Sequence, residues 1–179
     1  PTRAEVDLSR LSANFRAIDR ATGPARVMAI LKANAYGHGL LPVAQHLEGE
    51  GVEHFGVALL EEGIQLRQAG LRAPILVLGG LAPNQIPLYL QHDLSLTASS
   101  IEKLEAIDRA SARLDRIARV HLELDTGMER TGVHWYNAGP FLERSLACRN
   151  VAAVGVYSHF ANADAADVAK GALASIRTA

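Results

Sequence analysis

The stretch Val27-Met28-Ala29-Ile30-Leu31-Lys32-Ala33-Asn34-Ala35-Tyr36-Gly37-His38-Gly39 joins an apolar run to a polar turn that contains two glycines. The apolar residues predict a short buried strand, and the glycines predict a turn after it. Lys32 therefore stands where a buried strand ends. Such a lysine either extends its amine to water or, when partly buried, keeps the neutral amine that attacks a carbonyl group. Of the three lysines in the chain, only Lys32 follows an apolar strand.

The same strand-then-helix pattern recurs outward from this stretch. Amphipathic patterns predict helices between the strands, and the best-marked helix start is Ser99, with Glu102 placed to complete a capping box. Because the runs are apolar at nearly every residue and alternate with helices, they predict an α/β fold with a parallel sheet covered by helices. The predicted strands lie near Val27 to Leu31, Phe55 to Leu59, Ile75 to Leu78, Leu94 to Ala98, Ile117 to Leu124 and Val151 to Tyr157.

Composition excludes several classes of protein. The net charge of -1 is spread over 179 residues without a basic patch, so nucleic acid is not an expected partner. No apolar stretch approaches the ~20 residues needed to cross a bilayer, and no leader pattern precedes Ala4. We therefore expect a soluble, cytoplasmic protein without a membrane partner. Cys148 is the single cysteine, so we expect a small core residue and no thiolate metal site.

Four segments in order carry a family resemblance. Residues 28–39 are similar to the cofactor-lysine motif of the pyridoxal-phosphate-dependent alanine racemases, a family of fold type III. The other three segments resemble the family's amino-terminal strand, its substrate-arginine loop and the end of its sixth barrel strand. They read Ala4-Glu5-Val6-Asp7-Leu8, Leu124-Asp125-Thr126-Gly127-Met128-Glu129-Arg130-Thr131-Gly132 and Tyr157-Ser158-His159-Phe160-Ala161-Asn162-Ala163-Asp164. The resemblance covers nearly the whole chain, yet the chain has only about half of the family's usual length.

Among parallel α/β architectures, the resemblance selects the (β/α) barrel of the TIM type. The chain is shorter than the roughly 250 residues of a closed eight-stranded barrel, and six strands leave two unpaired edges. We therefore expect residues 1–179 to be one incomplete barrel domain, about six of eight strand-helix units, without the family's carboxy-terminal β-domain. A final helix with Val168, Ala169, Ala172, Leu173 and Ile176 on one face is expected to cover the sixth strand.

The resemblance also implies the roles of individual residues. Lys32 would hold pyridoxal 5'-phosphate as a Schiff base and act as one of two bases on the substrate α-carbon. Tyr36 would donate to the cofactor phosphate, Leu78 would pack on the pyridine ring, and His159 would join a hydrogen-bond chain beside that ring. Arg130 would bind the substrate carboxylate, for which a guanidinium offers a bidentate grip.

The chain departs from the family at Glu123, where many members carry a lysine that becomes a carbamate. Apolar and polar residues alternate along the fifth strand, so period two places Glu123 on its polar, inward face. We hypothesise that the Glu123 carboxylate supplies directly the negative charge that orients Arg130. His38 lies between two glycines without a second metal ligand at a recognisable spacing, so we interpret it as structural, and no metal is expected.

The function that the resemblance implies is interconversion of L- and D-alanine, which supplies D-alanine for bacterial peptidoglycan precursors, by a full-length homodimer. The family's second base, a tyrosine, comes from its carboxy-terminal domain, so we expect residues 1–179 alone to be inactive. Three alternatives stay open at this point. They are a racemase for larger or basic amino acids, a non-catalytic pyridoxal-phosphate-binding protein and a degenerate product without activity. The complete substrate-arginine loop around Arg130 argues against a mere carrier.

Overall fold

The computed structural model describes residues 2–163 and 165, which divide into two compact units, the first ending at Gly79 and the second beginning at Gly80. Each unit contains a parallel sheet with helices, as the sequence predicts. All six predicted strands are present, and their ends differ from the prediction by at most two residues. The helix expected around Val168 to Ile176 lies outside the described residues. No helix in the described range is both long enough and apolar enough to span a bilayer.

The first unit is built on a three-stranded sheet in which β2 is central. Phe55 of β2 lies opposite Ala29 of β1 and Ile75 of β3, and all pairings are parallel. Phe55, Ile75 and their apolar neighbours are buried because helices cover the sheet. The strands are β1 (Met28–Ile30), β2 (His54–Val57) and β3 (Ile75–Val77). The helical segments are α1 (Leu8–Thr22), α2 (Lys32–Tyr36), α3 (Leu40–Gly49) and α4 (Leu60–Gln68).

The resemblance predicts an amino-terminal strand over Ala4 to Leu8, and this prediction is wrong. Residues 2–7 adopt no regular structure, and Leu8 already begins α1. Asp7 explains the helix start, because its carboxylate accepts the backbone N–H groups of Ser9 and Arg10 at 2.9 and 3.3 Å. No strand within the described range pairs with residues 2–7, and an extended segment without a partner gains no ladder hydrogen bonds.

The second unit is built on β5, which pairs in parallel with β4 and β7 and, at its carboxyl end, with the short strand β6. The sequence did not predict β6. The strands are β4 (Leu96–Ala98), β5 (Ala118–Asp125), β6 (Val133–His134) and β7 (Val151–Tyr157). The helices are α5 (Ile86–Gln91), α6 (Ile101–Arg113) and α7 (Ala138–Ala147), with 3₁₀ turns at Pro83–Gln85 and Trp135–Asn137. Cys148, directly after α7, is buried, as expected.

The predicted start of the helix after β4 is one residue early. The N-cap is Ser100, whose hydroxyl accepts the backbone N–H of Lys103 at 3.3 Å, whereas Ser99 accepts a hydrogen bond from the Lys103 amine at 2.8 Å. Two adjacent serines offer the same cap chemistry, and only the backbone conformation selects between them. The amphipathic pattern predicted for this helix is confirmed, since Leu104 and Ile107 are fully buried and Ile101 is half-buried.

Candidate active site

The turn after β1 is left-handed. Ala33, Asn34, Ala35 and Tyr36 have φ values of 53°, 56°, 53° and 55°. A left-handed conformation costs residues with a Cβ roughly 1–2 kcal/mol each, so four in succession persist only where surrounding contacts hold them. Lys32 is the last residue before these four, so its position depends on how the turn is held.

Local hydrogen bonds hold part of the turn. The N–H of Gly37, itself at a φ of 85°, donates to the carbonyl oxygen of Ala33 at 3.0 Å. The Asn34 side-chain oxygen accepts the N–H of Leu40 at 2.8 Å and so joins the turn to α3. His38 Nδ1 lies 2.8 Å from the carbonyl oxygen of Ala35, which agrees with a structural role for this ring.

One long-range contact also reaches the turn. Glu62 Oε1 accepts the backbone N–H of Ala33 at 2.7 Å, while Glu62 Oε2 accepts those of Ala58 and Leu59 at 2.9 and 3.0 Å. Sequence reasoning missed Glu62. The sequence feature that could have indicated Glu62 is its place as the third residue of the helix that begins at Leu60. A glutamate at this position often accepts a hydrogen bond from the backbone that precedes the helix.

The three candidate residues of the first unit differ in exposure. Lys32 is half-buried, Leu78 is half-buried at the end of β3, and Tyr36 is 58% exposed. Leu78 and Ile30 both lie near the Cα of Gly56, where the missing side chain leaves them room. A cavity of about 580 Å³ in the first unit is lined mainly by apolar residues of α1, β1 and α3. Tyr36 borders this cavity, but Lys32 does not.

Glu123 is the centre of a buried polar cluster in the second unit. Glu123 is only 5% exposed, and its carboxylate accepts a short hydrogen bond from the Thr131 hydroxyl. Tyr157 lies opposite Glu123 in the sheet, and its phenolic oxygen is 3.2 Å from the hydroxyl oxygen of Thr97. Burial raises the pKa of the Tyr157 phenol, and the Glu123 carboxylate, to which it is hydrogen-bonded, adds to the rise. Tyr157 therefore remains a protonated donor.

The loop that carries Arg130 is anchored by Asp125, the last residue of β5. Burial alone would raise the pKa of this carboxyl, but the backbone N–H groups of Gly127, Glu129 and Met128 together hold its pKa below the ordinary value. The Gly127 N–H is 2.7 Å from Asp125 Oδ1. Arg130 follows this anchored segment and is exposed. Its neighbour Thr131, rather than its guanidinium, makes the contact with Glu123 found in the described range.

Asp125, Glu129 and His134 place one ligand atom each within 4.8 Å of one another. The Asp125 oxygens are already engaged by backbone donors, and His134 stacks on Tyr136 with ring centroids 5.1 Å apart. These partners give the residues a structural reason to cluster.

His159 lies two residues beyond β7 and is exposed. The preceding residue is fixed more firmly, because the hydroxyls of Ser158 and Thr126 are 2.7 Å apart. This contact joins the segment that carries His159 to the loop that carries Arg130.

The structure thus groups Lys32, Tyr36 and Leu78 in the first unit and Glu123, Arg130 and His159 in the second.

Parallel strands alternate with helices, and the candidate residues lie at or just after strand ends, which defines an α/β protein. Residues 6–179 match the family model described as alanine racemase, N-terminal domain. The chain belongs to this family. The alanine racemase of Geobacter sulfurreducens is 43% identical over 171 residues, and that of Carboxydothermus hydrogenoformans is 42% identical over 168 residues. These matches take in 93% and 94% of this chain but only 44% and 45% of the relatives.

Solved structures agree with this assignment. An alanine racemase from Streptomyces lavendulae superposes with a TM-score of 0.88 at 32% identity, covering 99% of this chain and 48% of that one. A histidine racemase from Leuconostoc mesenteroides superposes with a TM-score of 0.87 at 29% identity, covering 94% and 46%. The fold is therefore the TIM-like barrel type of this family, and the chain spans less than half the length of these relatives.

Proposed function

We propose that the full-length protein containing this chain is an alanine racemase that uses pyridoxal 5'-phosphate and acts as a homodimer in the cytoplasm. Family membership over residues 6–179 supports racemase chemistry. The observation that carries the proposal is the position of Lys32, two residues after the end of the parallel strand β1 and at the start of a left-handed turn that hydrogen bonds hold in place. Barrel enzymes place their reactive groups at such strand ends.

The residues around Lys32 suit the cofactor. Lys32 offers an amine for covalent attachment of an aldehyde, and the exposed Tyr36 four residues later offers a phenol to a phosphate group. When bound, pyridoxal phosphate supplies the electron sink that makes removal of an amino-acid α-proton feasible. Lys32 would move that proton at its Nζ atom on one face of the substrate. Leu78 would support the ring by packing, and His159 would hydrogen-bond beside it.

Arg130 would hold the substrate carboxylate. Its exposed guanidinium is free to approach a ligand, while the anchored loop from Asp125 restricts its backbone. Glu123 would orient Arg130 in place of the carbamate of other family members. The contacts refine this hypothesis, because Glu123 binds the hydroxyl of Thr131, the residue next to Arg130, and so would act on the arginine through the loop as well as through its charge.

A second candidate function is racemisation of a larger or basic amino acid. The structural similarity to a histidine racemase, at the same level as to alanine racemases, favours keeping it. Glu123, in place of the lysine of many family members, also changes the setting of Arg130, which could then suit a bulkier amino acid. A panel of enantiopure amino acids tested on the full-length protein separates the two candidates, since an alanine racemase inverts alanine at least tenfold faster than histidine, lysine or arginine.

The test of the main proposal is covalent trapping. The full-length protein is incubated with pyridoxal phosphate and reduced with borohydride, and the labelled peptide is mapped by mass spectrometry. We expect the label on Lys32 and loss of both label and alanine turnover in Lys32→Ala. Lys103→Ala is the matched control, because the Lys103 amine is already bound to Ser99. A label at another lysine, or none, contradicts the proposal.

We also propose that residues 1–179 alone do not racemise alanine, because less than half of the relatives' length is present. Measurement of alanine turnover by the isolated chain, at the concentrations used for the full-length protein, tests this. Turnover at a comparable rate would contradict it.

A further inference from the structure

We propose that Glu62 is a positioning residue for Lys32, an inference that rests on the function proposed above. Its carboxylate accepts three backbone N–H groups from two different segments. One oxygen binds Ala33, which directly follows Lys32, and the other binds Ala58 and Leu59, which directly follow β2. Glu62 thereby fixes the Lys32 turn to the carboxyl end of the neighbouring strand.

The turn requires such an external contact. Its four left-handed residues have ordinary Cβ atoms, so their conformation is unfavourable unless other bonds outweigh the cost. Most of the hydrogen bonds that hold it are local, between residues 31 and 40. The bond from Ala33 N–H to Glu62 spans 29 positions in the sequence and is 2.7 Å long. It fixes the first left-handed residue, and therefore the backbone on which the Lys32 side chain stands.

A carboxylate is the side chain that this arrangement needs. Three N–H donors converge on it, and an ionised carboxylate offers two acceptor oxygens and no donor. A glutamine would present its NH₂ group to at least one of these donors. An aspartate keeps the charge but is one methylene shorter, so it cannot span both segments at the observed distances. Charge alone therefore does not reproduce the contact.

The alternative role for Glu62 is a helix cap only. Its bonds to Ala58 and Leu59 satisfy backbone donors at the start of α4, and many glutamates at this position do no more. The bond to Ala33 is what distinguishes the two roles. A cap alone predicts that loss of Glu62 loosens α4 and leaves the Lys32 turn unchanged.

The experiment is amide hydrogen exchange on the full-length, cofactor-free protein, resolved to peptides that cover residues 32–39 and 58–68. The variants are Glu62→Gln and Glu62→Asp. Glu61→Gln is the matched control, since Glu61 is exposed and lies on the same helix. We expect exchange in residues 32–39 at least tenfold faster in both Glu62 variants and unchanged in the control.

Activity gives the second readout. In the cofactor-loaded protein, both Glu62 variants should lose at least tenfold in kcat for alanine with little change in KM, because the substrate-binding residues are intact. Unchanged exchange over residues 32–39 in either folded variant overturns the proposal, whatever happens at 58–68. Since exchange needs neither cofactor nor turnover, it remains decisive even if the protein proves not to be a racemase.

Discussion

The hydroxyl of Thr131 donates to the buried carboxylate of Glu123, eight residues earlier on β5. Arg130 lies directly beside Thr131 in sequence. The loop that carries the proposed substrate-binding arginine is therefore attached, through one hydrogen bond, to a charge inside the second unit.

The first prediction separates the charge of Glu123 from its hydrogen bonds. Glu123→Gln keeps an acceptor for Thr131 and Tyr157 but removes the charge, and we expect kcat/KM for alanine to fall about ten- to a hundredfold in the full-length protein. Thr131→Val keeps the charge and removes the donor, and should cost about tenfold. Full activity of the glutamine variant would show that the charge does not orient Arg130.

The matching comparison is Glu123→Lys, which restores the residue that many family members have at this position. We expect it to be less active than the wild type unless bicarbonate is supplied, because an uncarbamylated ammonium would repel Arg130. Alanine turnover measured with and without bicarbonate checks this. Equal activity of the lysine variant and the wild type without bicarbonate would contradict the charge argument.

The second prediction concerns pH and Asp125. Because backbone donors lower the pKa of its carboxyl in the folded state, Asp125 stabilises the fold at pH values above its unfolded pKa, and this contribution is lost as pH falls through the folded pKa. Asp125→Asn should therefore be less stable than the wild type at neutral pH, by about 1 kcal/mol or more, with the difference shrinking between roughly pH 5 and pH 2.

Urea denaturation across that pH range measures this effect. Asp19→Asn serves as the control, because Asp19 is exposed and should change the pH dependence little. A constant difference between Asp125→Asn and the wild type at all pH values would mean that the ionised form of Asp125 is not preferentially stabilised.

The third prediction concerns the close approach of two strand ends at Gly79. A Cβ at this position would lie 2.0 Å from the carbonyl oxygen of Ala58, so Gly79→Ala should destabilise the protein by about 3 kcal/mol. The adjacent Gly80 has open space around its Cα, and Gly80→Ala should change stability by less than about 0.5 kcal/mol. Urea midpoints of the two variants provide the comparison, and similar values would contradict the packing argument.

The fourth prediction tests the phenol of Tyr36. If Tyr36 donates to the cofactor phosphate as proposed, Tyr36→Phe removes that hydrogen bond and should weaken pyridoxal phosphate binding about tenfold or more. The fold should be unaffected because the side chain is 58% exposed. Tyr136→Phe is the control, since Tyr136 is 64% exposed and its ring can still stack on His134. Equal cofactor affinity in both variants and the wild type, measured by equilibrium dialysis, would remove Tyr36 from the site.

Much of the fold was predictable from local patterns. The six strands and the apolar face of α6 follow from periodicity, because burial of apolar side chains acts residue by residue along the chain. The amino-terminal strand was predicted from the resemblance alone, and the prediction was wrong because the Asp7 cap favours a helix start at Leu8. The short strand β6 was missed because two residues carry too little pattern to detect.

The candidate site was predictable only as a set of residue types at strand ends. The sequence placed Lys32 after β1 because an apolar run ends there, and it placed Glu123 among the polar residues of β5 because apolar and polar residues alternate along that strand.

What the sequence determined by itself was thus the order of strands and helices, the parallel α/β class and the family, all of which depend on short-range periodicity and local motifs. The tertiary structure decided the left-handed turn, its bond to Glu62 and the bond from Thr131 to Glu123. The left-handed turn opposes the backbone preference of its residues, and the bond to Glu62 joins groups 29 positions apart. Such contacts form only when strand register and loop closure bring donor and acceptor within hydrogen-bonding distance.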